Sequence, residues 1–312
     1  MATTLNRPYA NLGDALSPVI VSALSGLPIV HRHFDSNSER FACVGTIGQN
    51  FSRGTVHLWG TGVDASRNPI HPQFRLYQRP PNTNFVVHAL RGPVSSHTFR
   101  REGIEVPDVY GDPVWFLPSI IEPSEKKQYE LGVVVHLTEL SELSATASTH
   151  EAFLRYRIPP ELSSTIRIIN TLTEPTFDAI EQKVKEITSC KRILSTSLHG
   201  LVIAEAYNIP CLHLRSRRKG ATRVNLEDET EIIDQRMRDF YRGVGLKTLV
   251  TYSQKRSKET NWEDVIQAID THWQPLEWNP EPFLEAFPLP LKFNPLDTPH
   301  LLDRQFFDRI VF

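Results

Sequence analysis

The sequence predicts an α/β fold of two domains facing a cleft, and three observations carry that reading. Short apolar runs alternate with helix-like segments through most of the chain, the pattern of sheets covered by helices. The alternation breaks near 117–127, where Pro118, Pro123 and a charged run intervene, and then begins again. Twice an apolar run ends, just before a helix, on side chains suited to chemistry. Phe85-Val86-Val87-His88-Ala89-Leu90 runs into Arg91-Gly92-Pro93, and Arg192-Ile193-Leu194-Ser195-Thr196 into Ser197-Leu198-His199-Gly200. Open α/β sheets bind ligands at the carboxyl ends of their strands, where helix starts offer unpaired N–H groups to an anion.

The first domain, 1–122, opens on a helix that starts near Asp14 and covers the apolar run 15–30. Asp14 stands where a secretory leader would be basic, and Ser17, Pro18, Ser22, Ser25 and Pro28 interrupt the run, so it reads as a helix of the fold. Strands are expected at 29–33, 40–44, 55–59 and 85–90, with a Pro-rich loop over 68–82 and a helix over 93–101 that has Pro93 in its first turn. The second domain, 123–275, restarts with Leu131-Gly132-Val133-Val134-Val135-His136-Leu137, a continuous apolar run typical of a buried parallel strand. Further strands are expected at 166–170, 192–196 and 211–214, and helices at 176–188, 198–208, 228–242 and 262–273. Each domain reads as Rossmann-like. The tail, 276–312, carries Trp278, Phe283, Phe287, Phe293, Phe306, Phe307 and Phe312, too many large apolar groups for a free linker, and is expected to pack on the body.

Composition excludes several classes of function. With 312 residues, 40% hydrophobic and 22% charged, the chain is of the soluble globular type. Its 34 Lys and Arg against 36 Asp and Glu leave no global attraction for nucleic acid. No stretch reaches the ~20 apolar residues of a spanning helix, so membrane contact is expected to be peripheral at most. Cys43, Cys190 and Cys211 have no paired spacing and read as reduced core residues of a cytoplasmic protein. The expected metal set is none, since no Asp-x-Asp pair and no His/Cys/carboxylate cluster has ligand spacing.

Charge is uneven locally. Between Ser66 and Arg101 no acidic residue occurs, while Arg67, Arg75, Arg79, Arg91, Arg100 and Arg101 do. Around a cleft such a stretch would concentrate a small anion; on a loop it would be balanced from elsewhere. Arg91 stands apart because it ends a strand, with Gly92 permitting close backbone approach. Gly60-Thr61-Gly62-Val63-Asp64-Ala65 has the form of a dinucleotide loop, but the acidic residue expected ~20 positions on is missing.

Together with Asn11-Leu12-Gly13-Asp14 and Gly111-Asp112-Pro113, these segments resemble the polysaccharide pyruvyl transferase family. The order of landmarks fits as well: Asn-x-Gly-Asp, Trp59-Gly60-Thr61-Gly62, Arg-Gly-Pro, Gly-Asp-Pro, Leu-His-Gly, then Ile209-Pro210. The form Ser-Leu-His-Gly is similar to the exopolysaccharide, succinoglycan-type subgroup. The resemblance implies a GT-B-like architecture and transfer of pyruvate from phosphoenolpyruvate, as a cyclic ketal, to a sugar of an exopolysaccharide or its lipid-linked repeat unit. No cofactor beyond that co-substrate is implied. The enzyme would work in the cytoplasm or at the inner face of the membrane.

Phosphoenolpyruvate carries a phosphate and a carboxylate, which suits Arg91 and Gly92 together with the helix start at Ser197 and Leu198. Protonation of its C3 needs a group that titrates near neutral pH, and His199 is the candidate. The same His could instead be a structural hydrogen-bonder, and a helix N-terminus disfavours imidazolium unless the substrate's charge offsets that field. Activation of the acceptor hydroxyl falls to Asp14, which would equally serve as a helix cap, with Asn11 beside it on the acceptor side. Asp112 reads more weakly, as a group that orders the domain junction. Many relatives carry Arg where this chain has Ser197, so a cation from Arg215-Ser216-Arg217-Arg218-Lys219 is expected to compensate, Arg217 and Lys219 first. Two other readings are a GT-B glycosyltransferase using a nucleotide sugar and a non-catalytic glycan-binding relative.

Overall fold

The computed structural model describes residues 9–217, 219–297 and 304–311; Arg218, Phe312 and the Phe306 side chain lie outside the described residues. In chain order, strand β1 (Ala10–Asn11) leads into helix α1 (Leu12–Ser25), then β2 (Ile29–Val30), β3 (Arg40–Ala42), β4 (Gly54–Thr61), β5 (Thr83–Leu90) and α2 (Pro93–Arg101). A 3-10 segment, Pro113–Ser119, precedes β6 (Leu131–Val135), β7 (Ile166–Asn170), β8 (Leu172–Thr173), α3 (Phe177–Thr188), β9 (Ile193–Ser195) and α4 (Leu198–Ala206). Next come β10 (Cys211–Arg215), β11 (Gly220–Asn225), α5 (Gln235–Gly243), β12 (Thr248–Ser253), α6 (Trp262–His272), α7 (Glu281–Glu285) and β13 (Ile310–Val311).

The larger sheet has six strands in the order β11-β12-β10-β9-β6-β7, and all but β11 run parallel. From β6 the chain steps out to β7, returns to β9 on the other side, and then continues outward through β10 and β12. The direction of winding therefore reverses between β6 and β9, and the gap beyond their carboxyl ends is a topological switch point. β6 is an interior strand, flanked by β9 and the edge strand β7, and every residue of Leu131–Val135 is buried. The smaller sheet is parallel, in the order β3-β4-β5.

Helix α1 sits between the two sheets. Twelve of its residues are buried, as expected of a helix apolar on every side. Its Ser17 Oγ accepts the Val44 N–H at 2.8 Å beside the smaller sheet. Its amino end is held just beyond β7 of the larger sheet, where β1 and β8 form a separate two-stranded antiparallel sheet and the Leu12 N–H donates to the Thr171 carbonyl at 2.8 Å. One apolar core takes in Trp59 and Ala89 of the smaller sheet together with Val134, Ile169 and Ile193 of the larger.

The tail folds back on this core. Trp59 stacks on Phe283 with ring centroids 4.6 Å apart and donates its indole N–H to the Phe283 carbonyl at 2.8 Å. Phe307 stacks on Phe177 of α3 at 3.7 Å. Cys43, Cys190 and Cys211 are buried and unpaired. Among the described residues no helix is long and apolar enough to cross a membrane.

Several elements differ from the sequence reading. The strand expected over 29–33 is two residues long and pairs with the two-residue β13. The helix expected over 228–242 begins at Gln235, because Asp234 caps it by accepting the Arg236 N–H at 2.9 Å. Strands β11 and β12 carry no sustained apolar run and were not anticipated. β11 is an antiparallel edge with half of its residues exposed.

Candidate functional site

The start of α1 is fixed first. Asn11 takes the cap position with extended backbone, and its Oδ1 accepts the Gly13 N–H at 3.1 Å. Asp14, expected as the cap, is instead the third helical residue, half-buried against the 45–46 loop. A Cβ on Gly45 would fall 2.7 Å from its Oδ1. The cap role thus goes to Asn11, and Asp14 keeps a carboxylate at the mouth of the helix.

The second helix start belongs to α4. Ser197 is buried and opens the helix without a side-chain cap; Leu198 is its first residue and His199 its second. His199 lies across Gly13. A Cβ on Gly13 would fall 1.9 Å from Nδ1 and 2.3 Å from Cε1, so this crossing requires glycine. Two helix amino ends, from segments 186 residues apart, therefore meet around one histidine. On its other side His199 Nε2 approaches Asp112 Oδ2 at 3.6 Å, and Asp112 is 0% exposed.

Arg91 follows β5 as expected, but its guanidinium is already engaged. Nε donates to Asp239 Oδ2 at 3.1 Å, Nη2 lies 3.1 Å from the same oxygen, and Nη1 donates to Thr46 Oγ1 at 2.6 Å. The start of α2 points at the same carboxylate: the Val94 and Ser95 N–H groups donate to Asp239 Oδ1, each at 3.0 Å. The anion at this helix start is the protein's own Asp239, carried on α5. Gly92 is needed for that approach, since its Cβ would fall 1.8 Å from the Asp239 carbonyl oxygen; its extended φ of −173° would suit any residue.

Four ionisable groups that sequence reasoning missed, His136, His213, Asp234 and Arg236, stand at the carboxyl edge of the larger sheet. His136 follows β6, and its backbone N–H donates to Thr196 Oγ1 at 2.9 Å, tying it to the end of β9. Arg236 Nη1 donates to His136 Nε2 at 2.8 Å, and on the other side of the ring Nδ1 faces Thr138, 2.8 Å from its Oγ1 and 3.3 Å from its backbone N. Burial, reinforced by Arg236, lowers His136 to about 4. His213, in β10, donates from Nδ1 to the Ser195 carbonyl at 3.0 Å, and burial lowers it to about 4 as well. Burial would raise Asp234, yet its hydrogen bonds to Arg236 and that residue's charge outweigh burial and hold it at about 2. The signal for His136 was available: it ends an apolar run, as Arg91 does. Nothing local marked Asp234 or Arg236.

Arg217 is exposed in the turn after β10, and Lys219 lines a surface groove with Asp264, Gln267 and Thr271 of α6. Among the described residues, the cation hydrogen-bonded to His136 is Arg236. Among the other arginines of the basic stretch, Arg100 pairs with Asp108 at 2.8 Å and Arg101 with Glu102 at 3.4 Å. Their countercharges come from outside the stretch.

Comparison with known proteins supplies the remaining step. No curated protein sequence and no solved structure matches the chain. The sequence model of the family described as polysaccharide pyruvyl transferase matches residues 45–217, more than half of the 312 residues. That span takes in Arg91, Asp112 and His199, while Asn11, Gly13 and Asp14 precede it and are brought to it by the fold. With the match covering both strand-end junctions, the chain belongs to the polysaccharide pyruvyl transferase family.

Proposed function

We propose that the protein transfers pyruvate from phosphoenolpyruvate to a sugar of an exopolysaccharide or its lipid-linked repeat unit, closing a cyclic ketal, with His199 as general acid. One observation carries this reading: His199 lies on Gly13, one residue from Asp14, and beside Asp112, so three motifs far apart in sequence meet at one point. The point lies beyond the carboxyl ends of β6 and β9, where a doubly wound sheet binds its ligand. The first N–H groups of α4 have no side-chain cap at Ser197 and suit the donor's negative charge, which in turn offsets the field that disfavours a charged His199.

In this reading His199 protonates C3 of the donor, C2 becomes electrophilic, and Asp14 draws the proton from the incoming hydroxyl. Asn11 holds the start of α1 and, through it, Asp14. Arg91 acts from behind, fixing the 45–46 loop through Thr46 and α5 through Asp239. Arg236, on α5, supplies the cation beside His136 in place of Arg217 or Lys219. In this reading the six-stranded and three-stranded parallel sheets serve as the two Rossmann-like units of a GT-B-like frame.

Thermal unfolding with candidate donors tests the reading. Phosphoenolpyruvate is expected to raise Tm in a concentration-dependent way, as any ligand selective for the folded state does. Stabilisation by a nucleotide sugar, with none by phosphoenolpyruvate, would assign the site to glycosyl transfer instead.

A further inference from the structure

Two polar atoms deep in the site lack hydrogen-bond partners, and they face each other. His199 Nε2 and Asp112 Oδ2 are both buried and unpartnered, 3.6 Å apart. The rest of Asp112 is committed: Oδ1 accepts the Val114 N–H at 3.0 Å, capping the Pro113–Ser119 segment. Its backbone is gripped on both sides. A Cβ on Gly111 would fall 2.8 Å from Phe283 and Trp278, and one on Gly60 would fall 2.4 Å from Pro113. A buried carboxylate oxygen left unpaired is costly, and the imidazole opposite it can supply the missing N–H. With Nε2 buried against Asp112, the other ring nitrogen, Nδ1, is the one turned toward Gly13 at the start of α1.

We propose that Asp112 is the positioning residue for His199: it accepts the Nε2–H, fixes the ring in that tautomer, and leaves Nδ1 as the nitrogen that exchanges a proton with the reacting molecule. The catalytic part of this assignment rests on the pyruvyl-transfer reading; the tautomer does not. In the reaction the Nδ1–H bond breaks as a C3–H bond forms on phosphoenolpyruvate, while Nε2–H stays on Asp112, which remains ionised. The first sugar hydroxyl bonds to C2, and its proton passes by way of Asp14 to Nδ1, restoring the acid. The second hydroxyl bonds to C2 as the bond from C2 to the phosphate oxygen breaks, and its proton leaves with phosphate. Of the two hydroxyl protons, one therefore replaces the proton given to C3 and the other departs on phosphate.

Asp112→Asn is the decisive variant, because asparagine still offers an oxygen to Val114 and keeps the volume, yet presents N–H groups to Nε2. It should force the proton of the neutral ring onto Nδ1. Nitrogen-15 NMR of histidine-labelled protein reads this directly, with the His199 signals identified by their loss in His199→Gln. The wild type is expected to show the Nε2–H tautomer and Asp112→Asn the Nδ1–H tautomer. Transfer from phosphoenolpyruvate should fall by about 10²-fold or more in kcat, the scale of general acid catalysis, with donor KM within about threefold. Adding His199→Gln to Asp112→Asn should cost little more, since the two act as a unit. An Nδ1–H tautomer in the wild type, an unchanged tautomer in the variant, or a loss confined to KM would overturn the proposal. A wild type inert toward phosphoenolpyruvate would count against the transfer reading, while the NMR result would still decide whether Asp112 sets the ring.

Discussion

Arg91 and Asp239 form an ion pair at 3.1 Å in which each side chain is 1% exposed. The pair joins the end of β5 and the start of α2 to α5, and Ser95 Oγ adds a further donor to the carboxylate at 2.5 Å. It welds the smaller sheet to the α5 helix, whose first turn carries Arg236 to the carboxyl edge of the larger one.

Asp239→Asn therefore leaves a guanidinium buried without its countercharge. Such a change costs about 3–5 kcal/mol, because the remaining charge cannot recover its hydration. Urea denaturation should show that loss as a lower midpoint. A midpoint within experimental scatter of the wild type would mean that Arg91 is not held in this pair in solution.

Gly13→Ala places a methyl group where the His199 ring lies, 1.9 Å from Nδ1. Alanine favours the helix, so α1 should persist while the ring turns away. Misplacement of a reacting group by about 1 Å costs on the order of 10²-fold in rate, which sets the expected loss of transfer. Near-native turnover with circular dichroism unchanged would separate Gly13 from the chemistry.

The buried acid Glu205, on the same helix as His199, gives stability a pH dependence. Burial raises its carboxyl to about 7, against hydrogen bonds from Trp273 and Tyr241 at 3.1 and 3.0 Å that favour the ionised form. The folded state holds its proton more tightly than the unfolded chain, so this group stabilises at low pH. Its contribution is lost as pH rises from the ordinary Glu range through about 7. Glu205→Gln should flatten that decline in urea titrations between pH 5 and 8; an identical pH profile in the variant would contradict the assignment.

His136 and His213 act in the opposite sense. Both are lowered to about 4 by burial, so they are neutral in the folded protein while the unfolded chain takes up protons from about pH 6.5 downward. Their contribution is present above that pH and is lost as pH falls through about 4. His136→Gln should reduce the acid-induced loss of stability, and a steeper loss in the variant would show that the ring is charged in the fold.

How much of this was legible in the sequence depended on whether a residue's partner lay nearby in the chain. The strand-end positions of Arg91 and His199 followed from apolar runs meeting helix starts. β6 was legible because all five of its residues are buried. Asp239 was invisible, since nothing in Gln235–Gly243 marks it as the anion for a helix 144 residues upstream. The crossing of His199 on Gly13 was beyond reach for the same reason. The Asn11 cap was missed because Asp14 has the same chemistry and the longer apolar run follows it. β11 and β12 escaped because each is six residues of mixed polarity that leave no periodic signature, β11 as an edge strand and β12 as its interior neighbour.

The central claim is that this chain moves pyruvate from phosphoenolpyruvate to a sugar through His199. The most direct measurement incubates wild type and His199→Gln with phosphoenolpyruvate and a panel of free and lipid-linked oligosaccharides, following phosphate release and product mass together. The account predicts that the wild type releases one phosphate for each acceptor that gains a ketal-linked pyruvate. His199→Gln, though folded and still stabilised by phosphoenolpyruvate, should be slower by about 10² to 10⁴-fold, the span of general acid catalysis. Transfer by His199→Gln at the native rate, or no coupled phosphate release and mass gain by the wild type with any acceptor, would contradict it.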